Sequence, residues 1–352
     1  MKVAHSLDSA HRPTLGERDL ALIHALQIAP RISWAEAARV LDATPQSLAQ
    51  RWSRLRDEGL AWVTVHPAGA GDEVIAMVEV DCLPGERSSV ARALCADPRV
   101  ASVEEAARGC DLLLTIIATD LTALSRFVLD DLGAVEGVAN QRSYLATSVH
   151  RQGSSWRLRA LDGSQRAALE AVAHRAHIEG RRPGAGHAPM PVRLRPIVQE
   201  LARDGRATAA DLARATGRNP ATVRRQLATV IASGRLAFRC EVAQEHTRWP
   251  IVCNWQARVP TAEHDRTARA LATLPELRLC LTTTGEANLY FTVWAESLPD
   301  LLRIERLLAE RLPWLELRGS TVTLRQLKRM GWLLHPDSRC TGEVVAPEVL
   351  YA

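Results

Sequence analysis

Thr44-Pro-Gln-Ser-Leu-Ala-Gln-Arg-Trp-Ser-Arg-Leu-Arg-Asp-Glu-Gly59 returns later in the chain, in other letters, as Asn219-Pro-Ala-Thr-Val-Arg-Arg-Gln-Leu-Ala-Thr-Val-Ile-Ala-Ser-Gly234. Each stretch opens on a side chain able to accept from a free helix-start amide. Pro follows at the first helical position, where a missing N–H costs nothing, and Gly closes the segment. Leu48, Trp52 and Leu55, and likewise Val223, Leu227 and Val230, fall at i, i+4, i+7, which puts one apolar stripe toward a core. The other face carries Gln46, Ser47, Gln50, Arg51 and Arg54 in the first copy and Thr222, Arg224, Arg225, Gln226 and Thr229 in the second. Arg can donate two hydrogen bonds to guanine, Gln can pair with adenine, and Ser or Thr can reach phosphate. A solvated surface helix carries similar residues, so the segments around them decide the reading.

Upstream of the first stretch, Leu20, Leu22, Ile23 and Leu26 recur at helical spacing and predict a helix over Glu17–Ala29, stopped at Pro30. Ser33-Trp-Ala-Glu36 has the form of a capping box and opens a second short helix to about Leu41; Thr208-Ala-Ala-Asp211 does the same in the second copy. Two short helices and a tight turn before a polar, cationic third constitute a helix-turn-helix. The ten residues of the free faces are then candidate contacts to double-stranded DNA. Ala61–Val65 and Leu236–Val242 follow as strand-like runs, a wing or a connecting strand.

The duplication extends further. An offset of 175 places Leu26 on Leu201, Arg31 on Arg206, Ala38 on Ala213, Pro45 on Pro220 and Gly59 on Gly234; an offset of 177 places Leu112 on Leu289 and Leu121 on Leu298. A unit of roughly 135 residues is too long for a solenoid repeat, so the chain reads as a duplicated two-module protein. After each helical module the pattern predicts strand, helix, two strands, helix and strand. The segments are Val74–Val80, Ser88–Ala96, Val100–Ala106, Leu112–Thr119, Leu121–Leu132 and Asn140–Val149, then Ile251–Val259, Ala262–Leu274, Leu277–Thr284, Leu289–Ala295, Leu298–Leu312 and Glu316–Leu324. This is a ferredoxin-like βαββαβ order with both helices on one face, and its bare sheet face needs covering, most simply by the other sheet. The fold class is α+β: two winged helix-turn-helix domains (15–66 and 192–243) and two ferredoxin-like effector domains (72–150 and 249–335). A linker over 151–191 holds one helix near Ser164–Glu179 and a Gly/Pro-rich run that reads as a flexible joint. Gly109-Cys-Asp111 and Gly285-Glu-Ala-Asn288 join the middle strands. They are hairpin turns or, at the sheet-to-sheet contact, an effector pocket using Gly109, Asp111, Gly285, Glu286 and Asn288.

Composition narrows the function classes. The 352 residues are 47% hydrophobic and 24% charged, which excludes a disordered or fibrous polymer. Net charge is only +4, but residues 191–239 hold ten Arg against three acids while 74–150 hold six Arg against eleven. That segregation suits a basic face for a polyanion beside a more acidic module. No apolar run is long enough to cross a membrane, the seven Cys contain no CxxC, and a cytoplasmic protein with reduced thiols is expected. Phosphate-loop, HExxH and G-x-S-x-G motifs are absent. His174 and His177 share a helix face without a third ligand, so no catalytic residue, metal or cofactor is expected.

The stretch Thr44–Gly59 resembles the recognition helix of the Lrp/AsnC transcriptional regulators, and Gly109-Cys-Asp-Leu-Leu-Leu-Thr115 is similar to the Gly-x-x-Asp signature of their effector domain. The chain looks like the tandem form of that family. The resemblance implies sheet-mediated dimerisation, here a homo-oligomer or an intrachain pseudo-dimer, and an amino acid or related metabolite as effector. Gln226 replaces Arg51 and Asn288 replaces Asp111 between copies, so operator half-sites and ligands need not be alike. Siroheme decarboxylases resemble the same tandem scaffold, where a tetrapyrrole is bound by His and Arg. The comparable strands here, Cys110–Ala118 and Leu279–Ala295, contain neither. A regulator, not an enzyme, is expected.

Overall fold

The computed structural model describes residues 15–68, 73–180 and 190–351. Its first three helices are α1 (Glu17–Ile28), α2 (Trp34–Leu41) and α3 (Pro45–Asp57), followed by β1 (Ala61–Pro67). The caps are those the sequence requires: the Ser33 hydroxyl accepts from Glu36 N–H at 3.2 Å and that of Thr44 from Ser47 N–H at 3.1 Å. Next come β2 (Val74–Cys82), α4 (Arg87–Ala96), β3 (Val100–Ala106), β4 (Leu112–Ala118), α5 (Leu121–Ser125) and β5 (Val138–Arg151). The helix expected over Leu121–Leu132 is α-helical only to Ser125, and Arg126–Asp131 widen into a π turn. After α6 (Gly163–Gly180) the same order recurs: α7 (Arg195–Arg203), α8 (Ala209–Thr216), α9 (Pro220–Ala232), β6 (Leu236–Val242), β7 (Ile251–Arg258), α10 (His264–Leu271), β8 (Leu277–Thr283), β9 (Leu289–Ala295), α11 (Leu298–Arg311) and β10 (Glu316–Arg329). A short pair, β11 (Trp332–Leu334) and β12 (Cys340–Val344), extends the sheet beyond anything the sequence pattern indicates.

Pairing between the two halves organises these elements. β1 and β6 form their own two-stranded antiparallel sheet, in register from Ala61 opposite Val242 to Pro67 opposite Leu236. In each half the last strand lies beside the first, β5 on β2 and β10 on β7. Each last strand also crosses to the other half, β5 to β8 and β10 to β3, so eight strands close into a ring. Closure leaves those strands no free edge. Side chains alternate accordingly. Ala76, Val78 and Val80 join Val90, Leu94 and Leu124 in an outer core under the helices, whereas Met77 points inside the ring toward Leu113, Leu281 and Tyr290.

The helical modules are locked by a reciprocal contact. The Arg31 guanidinium donates to the carbonyls of Gly205 and, at 3.0 Å, Ala207; its counterpart Arg206 donates to Pro30 and, at 2.9 Å, Ile32. Arg206 also lies 4.0 Å from the Trp34 ring centre. Burial, then the nearby Arg31 charge, brings Arg206 down to about 10.

Two contacts go beyond what the local pattern indicates. Within the segment read as a linker, Trp156, Leu158, Leu161 and Leu169 are buried in the core of the first helical module. Leu158 N–H donates to Gln27 Oε1 at 2.9 Å there. Trp156, Leu158 and Leu161, scattered through a turn-rich stretch, show no period, so local pattern cannot reveal that packing. Residues 181–189, which hold the Gly/Pro-rich run, lie outside the described residues. Secondly, the C-terminal segment closes the second module, with Leu350 buried among Ile197, Leu201 and Val230. It passes so near Gly59, at φ +70°, that a Cβ there would stand 2.4 Å from the Cys340 carbonyl oxygen.

Where the strand ribbon meets the ring, the wholly buried Glu241 receives three guanidiniums: Arg239, Arg278 at 2.7 Å and Arg329 at 3.5 Å. Arg278 also stands 4.1 Å from the Trp294 ring centre. Burial alone would raise the Glu241 carboxyl, but the three cations outweigh it and hold it at about 2. Removing one partner of a buried ion cluster leaves the others uncompensated. Glu241→Gln is therefore expected to lower unfolding free energy by about 3–5 kcal/mol in denaturant titrations. Because the folded carboxyl titrates below its ordinary value of 4.5, this contribution is complete above that pH and is lost as pH falls toward 2. The Gln variant should show a shallower acid-side decline in melting temperature.

Candidate nucleic-acid interface and effector pocket

The apolar stripes of α3 and α9 face inward as expected, with Leu48, Trp52, Leu55, Val223, Leu227 and Val230 all buried. Gln46, Ser47, Gln50, Arg54, Arg224, Arg225 and Thr229 are exposed, and Arg51, Thr222 and Gln226 are half-buried. The ten residues differ in availability. Arg51 and Arg54 both donate to Asp19, a buried carboxylate on α1, at 2.6 and 2.7 Å, and Arg54 also pairs with Glu58 at 3.0 Å. Burial pushes Asp19 up, but those two hydrogen bonds lead the opposing effects and its carboxyl stays below the usual range. In α9, Gln226 accepts from Arg218 at 3.1 Å, and Thr229 donates to the Arg225 carbonyl at 2.9 Å. Arg224 and Arg225 take no ion pair among the described residues. The second copy thus presents two uncommitted guanidiniums, where the first presents two neutralised ones. The backbone of α6 also approaches α9.

The five expected effector residues separate. Asp111 is tied inward, accepting from Cys82 N–H at 2.8 Å and from Arg87 at 3.0 Å. Asn288 does the corresponding work, accepting from Val259 N–H at 2.9 Å and donating to Val259 O at 2.8 Å. Gly285 and Glu286 are exposed, their carbonyls accepting from Arg258. Gly109, at φ +89°, is the member that lines a cavity, one of about 530 Å3 in the ring between the two sheets. Its carbonyl accepts from Arg142 at 2.8 Å.

That cavity contains groups the turn motifs do not signal. Glu79 on β2 is buried and accepts from Arg142 at 2.9 Å and Gln256 at 2.6 Å. The Tyr290 hydroxyl is buried without a partner, and Arg108 at the rim takes no ion pair among the described residues. Carboxylate, guanidiniums and a spare hydroxyl in one chamber can bind a small polar ligand with charges of both signs. The alternation of Glu79 and Gln256 between apolar neighbours was the available sequence signal, since a polar residue at an inward strand position faces something other than core.

Residues 75–156 match the Lrp/AsnC ligand binding domain and residues 194–236 match a winged helix-turn-helix DNA-binding domain. The chain carries both domains. Among curated relatives, an uncharacterized HTH-type transcriptional regulator of Pyrococcus abyssi is 27% identical over 156 residues, covering 44% of this chain and 96% of the relative. The HTH-type transcriptional regulator LrpC of Bacillus subtilis is 28% identical over 103 residues, 29% of this chain and 72% of that one. Among solved structures, the siroheme decarboxylase NirDL superposes with a TM-score of 0.50 at 13% identity, covering 90% of this chain and 93% of its own, a likeness of fold alone. The Lrp/AsnC ligand binding domain includes Glu79, Arg108, Gly109 and Arg142 of the ring cavity, and the winged helix-turn-helix domain includes Arg224 and Arg225.

Because Asp111 binds a strand-end amide and a helix-start guanidinium, Asp111→Ala should act on stability. A loss of about 1–2 kcal/mol is expected in chemical denaturation, the cost of leaving a part-buried amide unsatisfied. Tyr290→Phe, which removes a hydroxyl without a partner, should leave the unfolding midpoint nearly unchanged.

Proposed function

We propose that the chain is a sequence-specific DNA-binding transcriptional regulator built as two fused regulator units, responding to an amino acid or related small metabolite. One observation carries the reading: α9, in the segment matching a winged helix-turn-helix DNA-binding domain, displays Arg224 and Arg225 exposed and without an ion pair among the described residues. Fusion is supported by length, since 96% of the Pyrococcus abyssi relative is covered by 44% of this chain. The two units form an intrachain pseudo-dimer through β1–β6 and the strand ring, which removes the need for a second chain to complete either module. α3 and α9 occupy successive major-groove faces, and because their polar residues differ, the preferred site is two unlike half-sites spaced by about one helical turn or a multiple. The effector occupies the ring cavity, its carboxylate toward Arg108 and its remaining polar groups toward Tyr290 and Glu79. Coupling of about 1–3 kcal/mol between this cavity and the helical modules is enough to switch occupancy.

The alternative, a tetrapyrrole decarboxylase on the same scaffold, rests on a likeness of fold. Release of carbon dioxide from siroheme is its readout, and none is expected.

Genomic fragments selected by the protein supply the operator. On it, Arg224→Ala/Arg225→Ala should weaken binding and reduce the slope of log affinity against log salt by about 2, roughly one unit for each lost phosphate contact. Arg51→Ala should reduce it less, since that side chain must first leave Asp19. Equal slopes for both variants would mean diffuse charge and no docked helix.

A further inference from the structure

A second cavity, of about 520 Å3, lies outside the ring, between α1, the end of β5 and the segment after it, α6, and the turn Ala272–Pro275 that follows α10. Arg151, Arg157, Arg159 and Arg166 line it, with Glu170 as the lining carboxylate. None of the four guanidiniums has an ion-pair partner among the described residues. Arg151 and Arg157 are partly sheltered and held by carbonyls alone, Arg151 by Ala272 at 2.9 Å and Arg157 by Ser154 and by Trp156 at 3.0 Å. Four guanidiniums against one carboxylate leave the lining net positive, and an anion relieves the repulsion among them.

His24 points to the same conclusion independently. Its side chain lines the cavity and is 1% exposed. Nδ1 accepts from the N–H groups of Ala160 and Leu161 at 3.0 and 3.2 Å, so the ring proton of the neutral imidazole sits on Nε2. Among the described residues Nε2 is buried with no partner, and so is Nε of Arg151. Buried donors without acceptors are rare and call for an occupant.

We propose that this cavity binds a small polyanion, a compound bearing at least two carboxylate or phosphate groups, clasped between the first helical module and the second βαββαβ unit. One carboxylate satisfies at most one guanidinium fork, whereas four converge here, and an anionic oxygen is the natural acceptor for the His24 N–H. The site is separate from the ring cavity and does not depend on what occupies that cavity. Since its walls come from a helical module and from the opposite sheet unit, its ligand bears on how the two are held together.

Citrate and pyrophosphate serve as probes of the carboxylate and phosphate sources, titrated calorimetrically into the full chain, with acetate at equal ionic strength as reference. At least one probe should bind saturably at one site per chain and slow hydrogen exchange over residues 151–166 and 272–275. Arg159→Ala/Arg166→Ala removes two exposed side chains that make no side-chain hydrogen bond among the described residues and should weaken binding about tenfold or more. The charge reversal Arg166→Glu should do likewise, with an unchanged melting temperature in ligand-free buffer. Arg108→Ala, in the ring cavity, should leave probe binding intact. The proposal is overturned if neither probe exceeds acetate, or if binding ignores both arginine variants. It is equally overturned if a short DNA duplex displaces the probe from Arg224→Ala/Arg225→Ala protein, which would make the cavity part of a nucleic-acid surface.

Discussion

Antiparallel pairing between the two halves of the chain is the constraint on which everything else depends. Alone, β1 and β6 would each be a single strand with both edges open, a row of unpaired amides and carbonyls. Paired from Ala61–Val242 to Pro67–Leu236, each satisfies the other and fixes the relation of the helical modules they follow. The crossings of β5 to β8 and β10 to β3 do the same for the sheets. The strands of each half are thus completed by strands of the other.

The second determinant is which charges the fold leaves uncommitted. Arginine dominates the basic residues, Lys2 and Lys328 being the lysines, yet many guanidiniums are already engaged. Asp19 holds two on α3, Glu241 holds three beneath the strand ribbon, and Arg31 and Arg206 are spent on carbonyls across the module contact. Among the described residues that take no ion pair are Arg224 and Arg225, adjacent on one helix, and the four arginines that line the cavity beside His24. Total charge therefore says less about partners than the pattern of neutralisation does.

Much of the architecture was legible in the residues. Caps at Ser33, Thr44, Thr208 and Asn219, the apolar stripes of α3 and α9 and the alternation in β2 are local properties, set by interactions within a few residues. The placement of the candidate residues was legible in part. The polar faces of α3 and α9 follow from their period, but Asp19 could not be matched to Arg51 and Arg54 across more than thirty positions. Gly109, picked for its turn, lines the ring cavity, whereas Asp111 and Asn288, picked for the same reason, serve strand ends.

By itself, the sequence determined the element order, the helix caps and the polar outer faces of the third helices, because short-range geometry dictates each. The tertiary structure alone decided that the strands exchange between halves, that Trp156 and Leu350 close the helical cores, and that arginines 151, 157, 159 and 166 gather beside His24. Those outcomes rest on contacts between segments far apart in the chain. Their energies depend on burial and on mutual approach of charges, neither of which leaves a period or a motif behind.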